Sequence, residues 1–395
     1  MKHFRLIHKF ILLFTVALLP HTLCAKTWDW SEQLVDAQPG KFTSIAIDQQ
    51  GDIHLIYSGD GGAFQYGFRP AGETKWYIMP LETGTGFPNI KLDSSGNPHA
   101  CLAINSSGVI KYGEWDGHRW KFQQIAPGTG PVWFSCSVAV SPDGTPHVTW
   151  YQERGPDSVI YGHYKYAELN DGVWMVKTGD FAPLAGKWHS MVVDKQGKTH
   201  ISYDSFTNGE LRYATKDGSN WNIRIADSRH ASSIEESLGM GSSLVLDSKG
   251  LARISYQTDT LLKYAEEQPD GFFKSRVVDN LRNPWGSWVG YRTTLLLDKD
   301  QLPHIIYEDS GNLKHAYWNG EKWSVRILVR ASMDPYRYSA AAIDGNDRIY
   351  VTYRDSQDSS IKLLIGRPAE KDAPAKTPIV AGTDLSTNSA NKKPN

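Results

Sequence analysis

One pattern of four short segments recurs along the chain and limits the folds that it can adopt. The copy at residues 190–227 reads SMVVDKQGKTHISYDSFTNGELRYATKDGSNWNIRIAD. It predicts four strands, labelled a to d, of which strand a ends at Asp194 and leads into a D-x-x-G turn. Asp217-Gly218 then predicts a hairpin between strands c and d, because a type I′ turn needs positive φ at both central positions.

The same pattern is present seven times, at intervals of 45 to 53 residues. The residues that end strand a are Asp48, Asp93, Ser141, Asp194, Asp247, Asp298 and Asp344. Six residues later, in strand b, stand His54, His99, His147, His200, Arg253, His304 and Tyr350. Strand c carries Tyr66, Tyr112, Tyr166, Tyr213, Tyr264 and His315. Strand d begins near Trp76, Trp120, Trp174, Trp221, Phe273 and Trp323.

Seven units of four strands predict an all-β fold, a seven-bladed β-propeller of four-stranded blades. A β-helix would have shorter rungs, and a string of separate domains would need a larger core in each unit. The seventh unit ends at residues 361–364 without a strand d. Residues 28–36 supply a spare strand at the N-terminal end, and we expect it to complete the last blade as an outer strand and to remove two open sheet edges.

The chain divides into three segments. Residues 1–25 resemble a secretory signal, with basic residues before an apolar run that is too short to span a bilayer. Residues 26–368 form the predicted propeller. Residues 369–395 are rich in Pro, Ala, Ser, Thr, Asn and Lys and lack aromatic residues, so we expect disorder. The mature protein is expected to be secreted or periplasmic, with lipid attachment at Cys24 as an alternative.

Charge and motifs exclude several function classes. The chain has 42 basic and 43 acidic residues, which argues against a general nucleic-acid binder. No nucleotide-binding, hydrolase-elbow or zinc-ligand spacing is present, so no cofactor and no metal are expected. We expect a monomer without a membrane span. Cys101 and Cys136 are interpreted as two small buried residues or, in an exported protein, as a disulfide.

Candidate site residues cluster before strand a, at the face opposite the D-x-x-G turns. The turns are nearly the same in every unit, and the histidine of strand b recurs in five of the seven, so we interpret both as structural. The junctions before strand a vary, and variable loops on a rigid scaffold often carry sites. The candidate catalytic residues are His189, Tyr291 and Arg292. The candidate substrate-binding residues are Trp133, Trp188, Arg229, His230, Arg282, Trp285, Trp288, Tyr336, Arg337 and Tyr338.

A family resemblance can be stated on the repeat itself. Units such as THISYDSFTNGELRYATKDGSNW resemble secreted bacterial β-propellers with neuraminidase-type, PHISY-like repeats. Sialidases share such repeats, but this chain has no complete S-x-D-x-G-x-x-W box and has seven units rather than six. In general organisation the chain resembles seven-bladed polysaccharide lyases of the ulvan type. That resemblance implies proton transfer by His and Tyr, with Arg near the uronate carboxylate. Propeller lectins are the other similar group.

Two function classes remain open. In the first, the protein acts on an anionic, uronate-containing polysaccharide by β-elimination. Arg292 or Arg337 would neutralise the carboxylate, His189, with an ordinary pKa, would be the base, and Tyr291 or Tyr338 the acid. In the second, the same face binds a glycan without turnover, as a lectin does, or docks a protein of the cell envelope.

Overall fold

The computed structural model describes residues 27–128, 136–153, 162–180, 182, 184–228, 238–281, 292–330 and 339–369. The predicted signal segment and all of the predicted tail except Ala369 lie outside these residues. The described part of the chain contains strands and turns but no helix, and so no helix there could cross a membrane.

The strands follow the repeat, with four in each of the first six units and three in the seventh, and one further strand precedes the first unit. In chain order they are β1 (Trp28–Asp36), β2 (Gly40–Ile47), β3 (Ile53–Gly59), β4 (Ala63–Arg69), β5 (Tyr77–Thr83), β6 (Gly86–Leu92), β7 (Pro98–Ile104), β8 (Ile110–Trp115), β9 (Trp120–Ala126), β10 (Cys136–Val140), β11 (Pro146–Glu153), β12 (Gly162–Asn170), β13 (Val173–Thr178), β14 (Ala185–Val193), β15 (Thr199–Ser205), β16 (Glu210–Asp217), β17 (Asn220–Ser228), β18 (Leu238–Leu246), β19 (Ala252–Thr258), β20 (Leu261–Glu267), β21 (Phe273–Asn280), β22 (Thr293–Leu297), β23 (Pro303–Asp309), β24 (Asn312–Trp318), β25 (Trp323–Val329), β26 (Ala340–Ile343), β27 (Ile349–Arg354) and β28 (Ile361–Pro368).

Among the described residues, these strands form six sheets. Five are four-stranded and antiparallel, in the orders β2-β3-β4-β5, β6-β7-β8-β9, β18-β19-β20-β21, β22-β23-β24-β25 and β1-β28-β27-β26. The sixth has eight strands and consists of two four-stranded meanders, β10 to β13 and β14 to β17. A single parallel pair between His163 and Ala185 joins the two meanders.

The first strand of each meander packs against the first strand of the next. β2 contacts β6, β6 contacts β10, β10 contacts β14, β14 contacts β18, β18 contacts β22, β22 contacts β26, and β26 contacts β2. We call these seven strands the inner strands. Apolar side chains fill the spaces between neighbouring sheets, as where Ile56 and Phe64 of one sheet meet Ile90 of the next. The hydrophobic core is therefore divided among the junctions between sheets.

β1 pairs antiparallel with β28, from Trp28 opposite Pro368 to Asp36 opposite Ile361. The N-terminal strand is thus the fourth strand of the sheet that contains the last unit. Trp28 is buried at 3% exposure against the sixth unit, whereas Leu34 in the same strand is 55% exposed. The burial of the strand is therefore divided between Trp28 near its start and Val35 near its end.

The D-x-x-G turns form as the sequence predicts. In the fourth unit, Gly197 has a φ of 81° and its N–H donates to the Asp194 carbonyl oxygen at 3.0 Å. The Asp194 carboxylate accepts the N–H of Lys198 at 2.8 Å, so side chain and backbone together close the turn. In the hairpin between β16 and β17 of the same unit, two residues connect Asp217 to Asn220. Of these two, only Gly218 has positive φ, which is the pattern of a type II′ turn rather than the predicted type I′.

The repeated histidines bond within their own sheets. His200 Nδ1 lies 2.5 Å from the Tyr213 hydroxyl oxygen, and its Nε2 lies 3.1 Å from an Asp194 carboxylate oxygen. Equivalent His–Tyr contacts join His54 to Tyr66, His99 to Tyr112 and His147 to Tyr166. These histidines therefore lie in the blade interior, where they connect strand b to strand c.

A disulfide joins Cys101 of β7 to Cys136 of β10, with Cα atoms 6.1 Å apart. Of the two sequence interpretations, two separate buried thiols or a bond, the structure has the bond. It links two neighbouring sheets close to the inner strands.

Candidate functional site

All seven inner strands, with the residues that precede them, surround one cavity of about 130 Å³. Its described lining is mostly hydroxyl and small side chains, and among these residues the ionisable groups are Lys91, His189 and Arg292, without a carboxylate. At the fourth position before the residue that ends strand a, every unit contributes to this lining. These residues are Ser44, Asn89, Ser137, Ser190, Ser243, Thr294 and Ala340.

Side chains at this level also hold neighbouring units together. Ser44 Oγ accepts the N–H of Ile90 at 3.1 Å, and Ser190 Oγ accepts the N–H of Leu244 at 3.1 Å. Ser243 Oγ accepts the N–H of Leu295 in the same way, at 3.0 Å, and Asn89 Oδ1 accepts the N–H of Val138 at 3.0 Å. The polar lining therefore forms part of the contact between units.

Aromatic and cationic side chains meet at the end of the cavity that faces the variable junctions. Phe42, Phe87 and Arg292 occupy the same position in their units, six residues before the end of strand a. The rings of Phe42 and Phe87 have centroids 4.2 Å apart, and the Arg292 guanidinium carbon lies 5.5 Å from the Phe87 ring centroid. Arg292 precedes the inner strand of the sixth unit and Phe87 lies in that of the second, so this contact spans non-neighbouring units.

The backbone at Phe42 is unusual. Phe42 has a φ of 58°, which is rare for a bulky residue. The pairing of β2 with β3 shifts register between Lys41 and Ser44, so Phe42 lies in a bulge. Bulges and strained residues are common at binding sites, where they redirect a side chain.

His189 is 7% exposed and lines the cavity. Its Nδ1–H donates to the Gly186 carbonyl oxygen at 3.0 Å. Nε2 makes no hydrogen bond of normal geometry among the described residues, although the Thr149 backbone lies close enough to raise the pKa of the ring. Burial, together with the positive charge of Arg292, outweighs these contacts and lowers the pKa of His189 to about 4. The expectation of an ordinary pKa is therefore wrong, because the side chain is almost fully removed from water.

The position of His189 in its unit has a structural role elsewhere. The equivalent residues Thr43, Ser242 and Thr293 donate hydroxyl hydrogen bonds to carbonyl oxygens of the preceding unit, at 3.4, 3.3 and 3.2 Å. Thr149, whose backbone lies close to His189, has the same position in its unit as the residues that supply those carbonyl oxygens. His189 thus occupies a connecting position between units and lines the cavity at the same time.

A buried carboxyl group lies beside this region. Asp204, at 2% exposure, accepts the N–H of Trp188 at 2.8 Å. Burial raises the pKa of Asp204 to about 7, although this hydrogen bond and the charge of Lys187 act in the opposite direction. Carboxyl groups with strongly raised pKa values are frequent at functional sites. Asp204 is therefore a carboxyl group beside the cavity that changes its protonation state near neutral pH.

Lys91 reaches the cavity from the end nearer the D-x-x-G turns. Part of its side chain faces solvent in the cavity, yet the surrounding chain removes enough water to lower the pKa of its amine. Among the described residues, it has no ion pair. Across the same part of the chain, no group of three His, Cys, Asp or Glu side chains could hold a metal ion.

Three predicted site residues lie together at this cavity: Trp188, His189 and Arg292. The other ten lie outside the described residues: Trp133, Arg229, His230, Arg282, Trp285, Trp288, Tyr291, Tyr336, Arg337 and Tyr338.

Sequence reasoning missed Phe42, Phe87, Lys91 and Asp204. The first two could have been found by aligning the seven units on the end of strand a, because they share a position with Trp188 and Arg292. The junctions before Phe42 and Phe87 are short and did not indicate a site. Asp204 could not be found in this way, because its raised pKa results from burial alone.

The chain matches no protein-family model, and no curated protein matches its sequence. Solved structures do resemble it. A protein of unknown function from Dyadobacter fermentans is 13% identical, with a TM-score of 0.52 over 86% of this chain and 98% of that one. The polysaccharide lyase Uly1 is 10% identical, with a TM-score of 0.58 over 88% of this chain and 100% of that one.

A catalytically inactive variant of virginiamycin B lyase from Staphylococcus aureus is also similar. It is 10% identical, with a TM-score of 0.56 over 86% of this chain and 99% of that one. At such low identity these likenesses show the fold alone. They support a β-propeller built from four-stranded antiparallel sheets.

Proposed function

We propose that this chain is an exported, monomeric β-propeller that binds an acidic polysaccharide at the cavity between its inner strands. The observation that carries the proposal is the contact of Phe42, Phe87 and Arg292 beside a cavity whose described lining contains no carboxylate. Aromatic faces suit sugar rings, and a guanidinium binds a carboxylate or sulfate through two parallel hydrogen bonds.

The proposed ring has seven blades, and β1 closes the seventh. The contact of each inner strand with the next, including β26 with β2, supports it. Hydrogen bonds between the first and last units support it as well, since the Thr352 hydroxyl donates to the Thr43 hydroxyl oxygen at 3.0 Å. A closed ring would bring the junctions of all seven units to one channel mouth, where a single polymer segment could touch several of them.

Export is supported by two features. The N-terminal sequence resembles a secretory signal, which would leave residues 26–368 as the propeller and 369–395 as a tail. The Cys101–Cys136 disulfide suits an oxidising compartment, because thiols are kept reduced in the cytosol.

The test measures binding of the chain from residue 26 to a panel of uronate polymers and to neutral polymers of the same length. We expect binding to the uronate polymers that weakens with added salt. Arg292→Ala should weaken it at least tenfold. Arg119→Ala is the matched control, because it removes an exposed guanidinium from the hairpin turn at the opposite face. Equal affinity in both variants, or equal binding of neutral polymers, would refute the proposal.

A lyase reaction on the same polymer is the second candidate. The observation that favours it is the neutral imidazole of His189 close enough to Arg292 for the charge of Arg292 to lower its pKa. A neutral base beside a cation is the arrangement that abstraction of a proton next to a carboxylate requires. Two of the structures similar to this chain are named lyases, and one of them a polysaccharide lyase.

The two candidates differ in product. A lyase forms an unsaturated sugar, which is detected by its ultraviolet absorbance. If the protein is a lyase, His189→Ala should reduce turnover by about 10²- to 10⁴-fold while it still binds the polymer. Binding without any unsaturated product would leave the lectin function. Neither binding nor product would favour a protein-docking surface.

A further inference from the structure

Lys91 differs from the equivalent residues of the other units. At the second position before the end of strand a, those units carry apolar side chains: Ala46, Ala139, Val192, Val245, Leu296 and Ala342. Each of these residues, like Lys91, pairs with the strand b residue at the repeated His position, so the equivalence holds in the sheets as well as in the sequence. Among the seven equivalent positions, this is the one with a charged side chain.

The described residues that line the cavity around Lys91 offer hydrogen-bond donors and carry no negative charge. Ser44, Ser190 and Ser243 each accept a backbone N–H from the next unit, a contact that does not use the hydroxyl proton. A serine hydroxyl has one proton to donate. All three residues line the cavity, which can receive these protons.

The amine of Lys91 has no anionic counterpart among the described residues. Its enclosure by the chain removes water that would otherwise stabilise the charge, and this lowers the pKa of the amine. Lys91 also faces solvent inside the cavity, so the cost of this charge is partial, and an opposite charge beside the amine would offset it. A negative charge in the cavity would therefore stabilise both the ammonium group and the orientation of the three hydroxyl protons.

We propose that the cavity binds one small inorganic anion, of the size of sulfate or chloride, between Lys91 and the hydroxyl groups of Ser44, Ser190 and Ser243. This site lies in the same cavity as the proposed glycan site but away from Phe42, Phe87 and Arg292, because Lys91 enters from the end nearer the D-x-x-G turns. Since Ser44 and Ser190 also connect neighbouring units, the anion would stabilise the arrangement of the inner strands.

The test follows thermal unfolding of the chain from residue 26 while sodium sulfate, or in a separate series sodium chloride, replaces sodium gluconate at constant ionic strength. A ligand that binds only the folded state raises the melting temperature with its concentration. We expect a saturable rise in the wild type and in Lys91→Arg, which keeps the charge. Lys91→Gln should lose the saturable part. Lys249→Gln, in an exposed D-x-x-G turn, is the matched control and should keep it.

General salt effects stabilise many proteins without binding at a site, but they act on all variants equally. The same saturable rise in Lys91→Gln as in the wild type would therefore overturn the proposal. Free galacturonate forms a second arm of the experiment. If galacturonate gives the Lys91-dependent rise and sulfate and chloride do not, the bound group is a sugar carboxylate and the inorganic site is refuted. A cooperative unfolding transition of Lys91→Gln in gluconate shows that the variant folds.

Discussion

The Trp30 indole of β1 meets the His315 imidazole of β24 edge-on, with ring centroids 5.6 Å apart and planes at 74°. The same arrangement recurs between neighbouring units. Tyr112 meets Trp174 at 5.2 Å, and Tyr213 meets Phe273 at 5.4 Å, each pairing strand c of one unit with strand d of the next. β1 therefore brings to the last sheet the aromatic contact that the other units carry within their own sequence.

The importance of β1 can be tested by two substitutions within it. Trp28→Ala should lower the free energy of unfolding by about 3–5 kcal/mol, because a large buried aromatic side chain leaves a cavity when it is truncated. Leu34→Ala is the control, since Leu34 is mostly exposed, and it should have little effect. The measurement is urea unfolding of both variants. Equal losses would contradict the asymmetric burial of the strand.

The disulfide should contribute substantially to stability. It closes a loop with a sequence separation of 35. On the chain-entropy description, reduction should lower the free energy of unfolding by about 4 kcal/mol. Urea unfolding with and without a thiol reductant measures this difference. Cys101→Ala/Cys136→Ala should not respond to the reductant, and a response of that variant would place the effect elsewhere.

Buried histidines should make the protein sensitive to mild acid. Burial lowers the pKa values of His54, His99 and His200 in the folded state, and that of His147 to about 4. The unfolded state, with histidine pKa values near 6.5, then binds more protons than the folded state below that pH. These histidines therefore leave the free energy of unfolding unchanged above about pH 6.5 and lower it as the pH decreases toward 4.

Urea unfolding midpoints between pH 7.5 and 4 should show this loss. His147→Asn should reduce the loss by on the order of 3 kcal/mol, because the difference between the folded and unfolded pKa values disappears with the imidazole. The control is His118→Asn, in an exposed turn. A flat stability profile across this window, or an equal effect of both variants, would show that the histidines take up protons without loss of structure.

Asp204 should have the opposite pH dependence. Its folded pKa of about 7 lies above the unfolded value near 3.9, so the folded state holds the proton longer. The carboxyl group therefore destabilises the fold increasingly as the pH rises from about 4 to 7, and Asp204→Asn should raise the melting temperature more at pH 8 than at pH 5. Asn keeps an oxygen that can accept the Trp188 N–H. A larger gain at pH 5 would mean that the carboxylate is stabilised by contacts stronger than those described.

Much of the fold could be predicted because the repeated residues mark equivalent positions in the strands of each sheet. The residue that ends strand a, the His of strand b and the Tyr of strand c mark equivalent points, and Asp194, His200 and Tyr213 do contact one another in this way. The extra strand at residues 28–36 could be predicted because the last unit lacked a fourth strand. The lengths of the strands could not be predicted. For example, β14 begins at Ala185, although its pairing with β15 shifts register between Ala185 and His189.

The candidate site was predicted less completely. Trp188, His189 and Arg292 were predicted to lie together because they precede strand a, and the three residues do line one cavity; their role stays a prediction. The lowered pKa of His189 could not be predicted from the sequence, because it depends on how much water the neighbouring unit removes from the side chain. The position of Phe42 depends on a bulge and a positive φ that no residue type in the segment indicates.

The pairing of β1 with β28 also sets an order of events. Synthesis proceeds from the N-terminus, so β1 is made before every other strand, and its partner is made last. Trp28 and Trp30 cannot reach their places against His315 until the whole intervening chain is present. A chain that stops short of Ile361 leaves its first strand without a partner and with two indoles facing water. Formation of this last sheet thus distinguishes a full-length chain from a truncated one.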